Sequence, residues 1–234
     1  MLEQTVDYLS NIGIETYFIL IILVALEAVL SADNAIALAA IAQSIEDPQL
    51  QRKALNIGLM GAYILRMILI LTATWVVKYW QFELLGAFYL LWLVFNYFTA
   101  SESEGEQKQQ QLGFSSLWQI IPIIAVTDLA FSLDSVTTAI AVTEETWLII
   151  AGGTIGIITL RFLAGLFIRW LEEYTYLEDA GFITVGFVGL RLLFKAVLPD
   201  LMIPEWITIA LVTVFFIWGF SKREEIESSE SKDK

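Results

Sequence analysis

Cysteine and histidine are both absent from the 234 residues. No disulfide can form, and neither thiolate nor imidazole is available as a ligand, so any metal bound here is held by oxygen. Proline is scarce, at 4 residues, and charged residues make up only 17% of the chain, which leaves few groups that demand water. Basic residues are the rarer sign: 13 Lys and Arg stand against 26 Asp and Glu, a formal net charge of −13. With no basic stripe to track a phosphate backbone, a nucleic-acid partner is excluded.

What the chain has in excess is apolar surface. Hydrophobic residues reach 57% and mean hydropathy is +0.69, whereas soluble domains stay near roughly 45–50% apolar. The excess gathers into runs long enough to cross a bilayer, which takes roughly 20 residues at about 1.5 Å each. Spans are expected over 16–42, 54–77, 82–98, 117–142, 147–170, 176–198 and 206–220. Trp75, Trp80, Trp118, Trp147, Trp170 and Trp206 fall near their ends, where amphipathic rings prefer the headgroup level. The stretch before the first span carries Glu3, Asp7 and Glu15 but no Lys or Arg, so it lacks the basic start of a signal peptide and the span is expected to be retained. The expected fold is an all-α, polytopic membrane protein of about seven transmembrane helices. Residues 1–220 form one transmembrane domain and 221–234 a charged tail. One long polar connection, 101–111, is expected to be flexible.

With the N-terminus outside, the inner segments hold Arg52, Lys53, Lys108, Arg169, Lys222, Arg223, Lys232 and Lys234, and the outer ones only Lys78 and Lys195. The positive-inside rule then predicts an outer N-terminus and a cytoplasmic C-terminus.

The chain also repeats itself. Aligning Leu26-Glu-Ala-Val-Leu-Ser-Ala-Asp-Asn34 with Thr127-Asp-Leu-Ala-Phe-Ser-Leu-Asp-Ser135 pairs Glu27 with Asp128, Ser31 with Ser132, Asp33 with Asp134 and Asn34 with Ser135. Further on, Gly58 meets Gly153, Gly61 meets Gly156, Arg66 meets Arg161, Glu83 meets Glu178 and Gly86 meets Gly181. Polar identities in order over three consecutive spans point to a duplication, 16–98 and 117–198, with the seventh helix at 206–220 outside it. A repeat of three spans is odd, so the second copy enters the membrane from the opposite side. That is the inverted plan of many secondary transporters, whose sites lie near the midplane at the repeat interface.

Glu27, Asp33, Asp128 and Asp134 all fall inside expected spans, where an ionised Asp costs about 2.5–3.5 kcal/mol on insertion scales. Residues six apart on a straight helix point about 120° away from each other. Convergence of Glu27 with Asp33, and of Asp128 with Asp134, therefore predicts local unwinding near 31–34 and 132–135, which would also free carbonyl ligands. Arg66, Arg161 and Arg191 are the available charge partners, but three arginines cannot neutralise four carboxylates. The four acids are thus candidate cation ligands, with Ser31, Asn34, Ser132 and Ser135 as further oxygen donors or orienting groups. All-oxygen ligands favour Mg²⁺, Mn²⁺ or Ca²⁺ over Zn²⁺ or Cu⁺. The divalent ion is cargo here, and no prosthetic group is expected.

At these two motifs, supported by Tyr176-Leu-Glu-Asp-Ala-Gly181 and Gly186-Phe-Val-Gly-Leu-Arg191, the sequence resembles the TerC family of integral membrane proteins over nearly its whole length. The resemblance implies manganese export, within a wider group similar to lysine-exporter-type transporters, and residence in a bacterial inner membrane or a thylakoid. The absence of a visible transit peptide favours a bacterial or already mature chain. The resemblance also leaves two other readings: lysine-exporter-like export of an organic cation or amino acid, and a non-transporting role in membrane-protein assembly. An intramembrane aspartyl protease, in which two aspartates share a proton, lacks its Gly-x-Gly-Asp element here. The protein is expected not to be an enzyme.

Overall fold

The computed structural model describes residues 2–45, 47–103, 117–198 and 204–223, with side chains from residue 16 onward except at Leu26, Val29, Leu30, Asp33, 100–103 and Glu205. Among the described residues seven helices follow one another: α1 Leu2–Gln43, α2 Pro48–Val76, α3 Trp80–Ser103, α4 Leu117–Val142, α5 Thr146–Glu173, α6 Leu177–Val197 and α7 Glu205–Gly219. Helices α2, α4, α5 and α6, with Trp80–Thr99 of α3, are five stretches long and apolar enough to cross a membrane. Shorter apolar helical stretches run over Thr16–Ala25 and Asn34–Gln43 of α1 and Trp206–Gly219 of α7. From residue 104 to 116 the polar connection lies outside the described residues, as does the tail beyond 223.

The helix ends follow local chemistry. Asp47 caps α2 by accepting a 2.7 Å hydrogen bond from the Gln49 amide, and Pro48 occupies the first turn, where no amide partner is needed. Thr143 accepts from the Glu145 amide at 3.1 Å in the turn between α4 and α5. Pro122 lies inside α4 without ending it, as is common where neighbouring helices compensate the lost bond.

Two expectations about α1 and α4 are corrected. Both helices run unbroken through 31–34 and 132–135, with no unwound segment. Helix α1 also begins far ahead of residue 16; its 42 residues span roughly 63 Å, about twice the hydrocarbon thickness. Helix α3 likewise continues past 98 to Ser103, into what the composition marks as connection.

Packing explains which helix is central. Every side chain from Asn34 to Ala42 is buried, and five of these nine residues are alanine. Small residues let neighbours approach from all sides, and α1 accordingly touches α2, α4, α5 and α6. The most extensive pairings are α1 on α5, α2 on α4 and α3 on α6, with α7 laid against α6. Large apolar side chains such as Trp118, Phe162 and Tyr17 point outward, an arrangement suited to lipid rather than water. At the end of the bundle where α5 stops, Tyr176 stacks on Trp218, Lys222 lies 5.5 Å over the Tyr176 ring, and Arg223 pairs with Glu173 at 2.9 Å.

Helices α2 and α4 meet at Gly58, where a Cβ would lie 2.7 Å from Ile124 Cγ2. Three residues on, a Cβ at Gly61 would meet only the Ala125 Cβ at 3.4 Å. Gly58→Ala is expected to destabilise the protein by about 1–3 kcal/mol through overpacking, while Gly61→Ala stays near neutral. Thermal unfolding of the two purified variants checks this.

Candidate functional site

Because α4 is regular, its polar residues sort by helical angle. Asp128, Ser132 and Ser135 fall at i, i+4 and i+7 and share one face, whereas Asp134 points about 120° away from Asp128. The same spacing puts Glu27, Ser31 and Asn34 on one face of α1. Each motif thus carries one polar stripe and one aspartate set off from it.

The two stripes meet on Arg66 of α2. One terminal nitrogen of its guanidinium pairs with Glu27 and the other with Asp128 Oδ1 at 3.2 Å. Arg66 is 1% exposed and Asp128 fully buried, while Glu27 keeps 12% of its side chain exposed, so this triad joins α1, α2 and α4 in a largely enclosed site. A fork of donors is the geometry that can hold two carboxylates at once. Ser132 donates to the Asp128 carbonyl at 2.7 Å and approaches its Oδ2 at 3.3 Å. The Ser31 hydroxyl, equally buried, meets no partner among the described residues, and neither does Arg66 Nε. With all three groups ionised, the triad carries one negative charge in excess.

Glu27 has its place because α5 presents glycine there: a Cβ on Gly156 would overlap the Glu27 Cγ. Beside the triad lies a cavity of about 20 Å³, lined on its polar side by Glu27, Arg66 and Ser135 and floored by Gly152 and Gly153. That is room for one water or one ion.

Asp134 belongs to a different group. It pairs with Arg191 at 3.2 Å and Lys195 at 3.0 Å, which lie four apart on one face of α6, and Lys195 also reaches Glu83 of α3 at 3.1 Å. Two acids and two bases make this cluster neutral, and it ties α3, α4 and α6 together. Lys195 and Glu83 were not among the candidate residues. Lys195 counts with the outer segments because it stands in the last turn of its helix, yet its ammonium is turned in and only 25% exposed.

The candidate residues are therefore distributed, not pooled. Glu27, Asp128, Arg66 and Ser132 come together with Ser135 alongside; Asp134 and Arg191 sit in the second cluster; and the Asp33 side chain lies outside the described residues. Asn34 is buried on the α1 stripe. Arg161 donates from Nε to Asn56 of α2 at an exposed position instead of joining a carboxylate. Among the described residues, no three acids lie close enough together to hold a metal ion. A second buried polar contact joins Tyr97 of α3 to Asp179 of α6 at 2.8 Å.

Burial decides how much each pair matters. Removing one partner of a fully buried pair costs about 3–5 kcal/mol, and pairs with solvent access are worth ~1 kcal/mol or less. Asp128→Asn is expected to lose about 3 kcal/mol, at the low end because Glu27 still holds the guanidinium, and Asp134→Asn less than that, because Arg191 and Lys195 are only partly buried and Glu83 still holds Lys195. Thermal or denaturant unfolding in detergent measures both.

The TerC integral membrane protein family model matches residues 12–226. The chain is 33% identical over 221 residues to the uncharacterised membrane protein YceF of Bacillus subtilis, covering 91% of this chain and 86% of that one. It is 30% identical to YkoY of the same organism, over 76% of this chain and 60% of the relative, and 24% identical to the chloroplastic thylakoid membrane protein TERC of Arabidopsis thaliana, over 72% and 51%. No solved structure matches significantly. With relatives in bacterial and thylakoid membranes and a bundle faced with outward apolar side chains, this chain is a multi-pass integral membrane protein of the TerC family.

Proposed function

We propose that the protein is a secondary transporter exporting divalent cations, Mn²⁺ foremost, by alternating access. One observation carries this reading: buried carboxylates at aligned positions of two helices, Glu27 and Asp128, converge on a single arginine and remain one positive charge short of neutrality. Intramembrane acids are costly and mark ion pathways, and a group that is short of one positive charge attracts a cation. Asp33 and Asp134, a turn and a half further along the same helices, are the next carboxylates such an ion would meet. Ser31, Asn34, Ser132 and Ser135 supply neutral oxygens along the stripes. Hard oxygen donors favour Mn²⁺ over softer ions. Protons compete for the same oxygens, so proton exchange is the natural coupling.

Helix packing supports the inverted-repeat architecture on which alternating access depends. Exchanging α1–α3 with α4–α6 turns the α1–α5 contact into the α4–α2 contact and leaves α3–α6 paired with itself, and these are the most extensive pairings in the bundle. In this reading α1 and α7 also cross the membrane, for seven spans in all. The small cavity beside Glu27 fits an ion and not an organic cation, which favours metal over the lysine-exporter-type alternative.

In proteoliposomes the wild type is expected to move Mn²⁺ with little transport of Zn²⁺, and binding is expected to weaken as pH falls, because each bound proton neutralises a ligand oxygen. Asp33→Asn and Asp134→Asn should each sharply reduce flux while leaving most of the protein folded. Normal flux in both variants together with pH-independent binding excludes the proposed site.

An outer N-terminus and inner C-terminus follow from Arg52, Lys53, Arg169, Lys222 and Arg223 against Lys78; Lys195 leaves the tally because Asp134 and Glu83 hold it. Reporter fusions after Glu15 and Arg223 are expected to give opposite signals, external and cytoplasmic respectively.

A further inference from the structure

Arg66 holds the two carboxylates that the transport reading assigns to the cargo. Charge decides whether both cations can stay. The carboxylate pair with Arg66 carries −1, with a divalent ion 0, and with both +1. In a largely enclosed site, an excess charge is less screened than in bulk. Arg66 and the ion would also compete for the same oxygens: the fork takes one oxygen from each acid, and a metal bridging the helices needs those oxygens too.

We propose that Arg66 is a tethered counter-cation, filling the carboxylate pair in the unloaded protein and displaced from it when the cation binds. The proposal rests on the cation-transport reading above. Its consequence is that loading exchanges one cation for another, so the acids are not left unpaired in the membrane at any stage. Release is then assisted by the arginine returning to its partners.

Three features of the structure support movement of this side chain. First, Arg66 is buried but incompletely held, since its Nε has no partner. Second, space adjoins it: the cavity it lines opens over Gly152 and Gly153, and the Cβ that Gly153 lacks would sit 3.7 Å from the Arg66 Cδ. Third, the two aligned arginines occupy different positions in the same molecule. Arg66 lies between the carboxylates, while Arg161 is turned away from them onto Asn56, at an exposed position. The duplicated position thus displays both an engaged and a disengaged arginine.

The test compares full-length wild type, Arg66→Gln and Arg66→Lys, with Mn²⁺, Mg²⁺ and Ca²⁺ as probes for equilibrium binding and Mn²⁺ for flux in proteoliposomes. Removing the competitor should tighten Mn²⁺ binding by about tenfold or more while slowing release, so affinity rises as flux falls. Free guanidinium ion should weaken Mn²⁺ binding competitively in Arg66→Gln and leave the wild type unchanged. A lysine is a compact point charge without the planar fork and holds the two acids less firmly, so Arg66→Lys should bind Mn²⁺ with an affinity between the other two. Arg66→Gln that folds and binds Mn²⁺ no more tightly than wild type overturns the proposal. If Arg66→Gln does not fold, Arg66→Lys decides: tighter binding than wild type supports displacement, and equal or weaker binding overturns it. Wild-type protein that binds none of the three ions sinks the transport reading itself, and the tethered cation with it. Wild type that binds, with variants that do not tighten, removes only the tether.

Discussion

Everything central in this bundle depends on a single guanidinium. Glu27 and Asp128 come from the two halves of the chain, and their carboxylates would repel each other in a region with little water to screen them. Arg66 lets them approach, and by doing so draws α1, α2 and α4 together. The surrounding sequence accommodates that contact: glycine at 156 opens the space Glu27 fills, and Ser132 satisfies Asp128 from one turn away. Apolar association cannot substitute for this within lipid, where tails solvate leucine as well as another helix does.

The second cluster follows a different design. Asp134, Glu83, Arg191 and Lys195 balance to zero and retain partial access to solvent. A neutral, partly exposed network carries no excess charge that another cation must balance. The triad is more enclosed at Arg66 and Asp128 and, with all three groups ionised, carries an excess negative charge. The two groups therefore tie different helices, α1, α2 and α4 in one case and α3, α4 and α6 in the other, although their aspartates lie six residues apart on one helix.

Much of this was legible in the sequence. Periodicity is not needed to find a membrane helix, because length and hydropathy suffice, and the expected span 117–142 coincides with α4. Membrane acids are equally conspicuous, so Glu27 and Asp128 stood out, and Arg66 was the nearest candidate partner in the neighbouring span. Misreadings arose where a residue's direction mattered more than its position. Lys195 was counted only as an outer positive charge near the end of its span, when its ammonium pairs with Asp134. Unwinding was expected at 31–34 and 132–135 on the assumption that all four acids serve one target. Regular helices send Asp128 and Asp134 to separate partners, and no distortion is required.

The sequence by itself determined the solvent of this protein and the chemistry open to it: a membrane chain without cysteine or histidine, whose only strong ligands are oxygens. It also determined the paired motifs, since their alignment is written in residue order. Tertiary structure alone decided which carboxylates meet, which arginine joins them and which is turned away. The reason is physical. Hydropathy and order are properties of the chain, whereas the pairing of charges depends on helix rotation and interhelical distance, and these are set by where alanine and glycine allow the helices to touch.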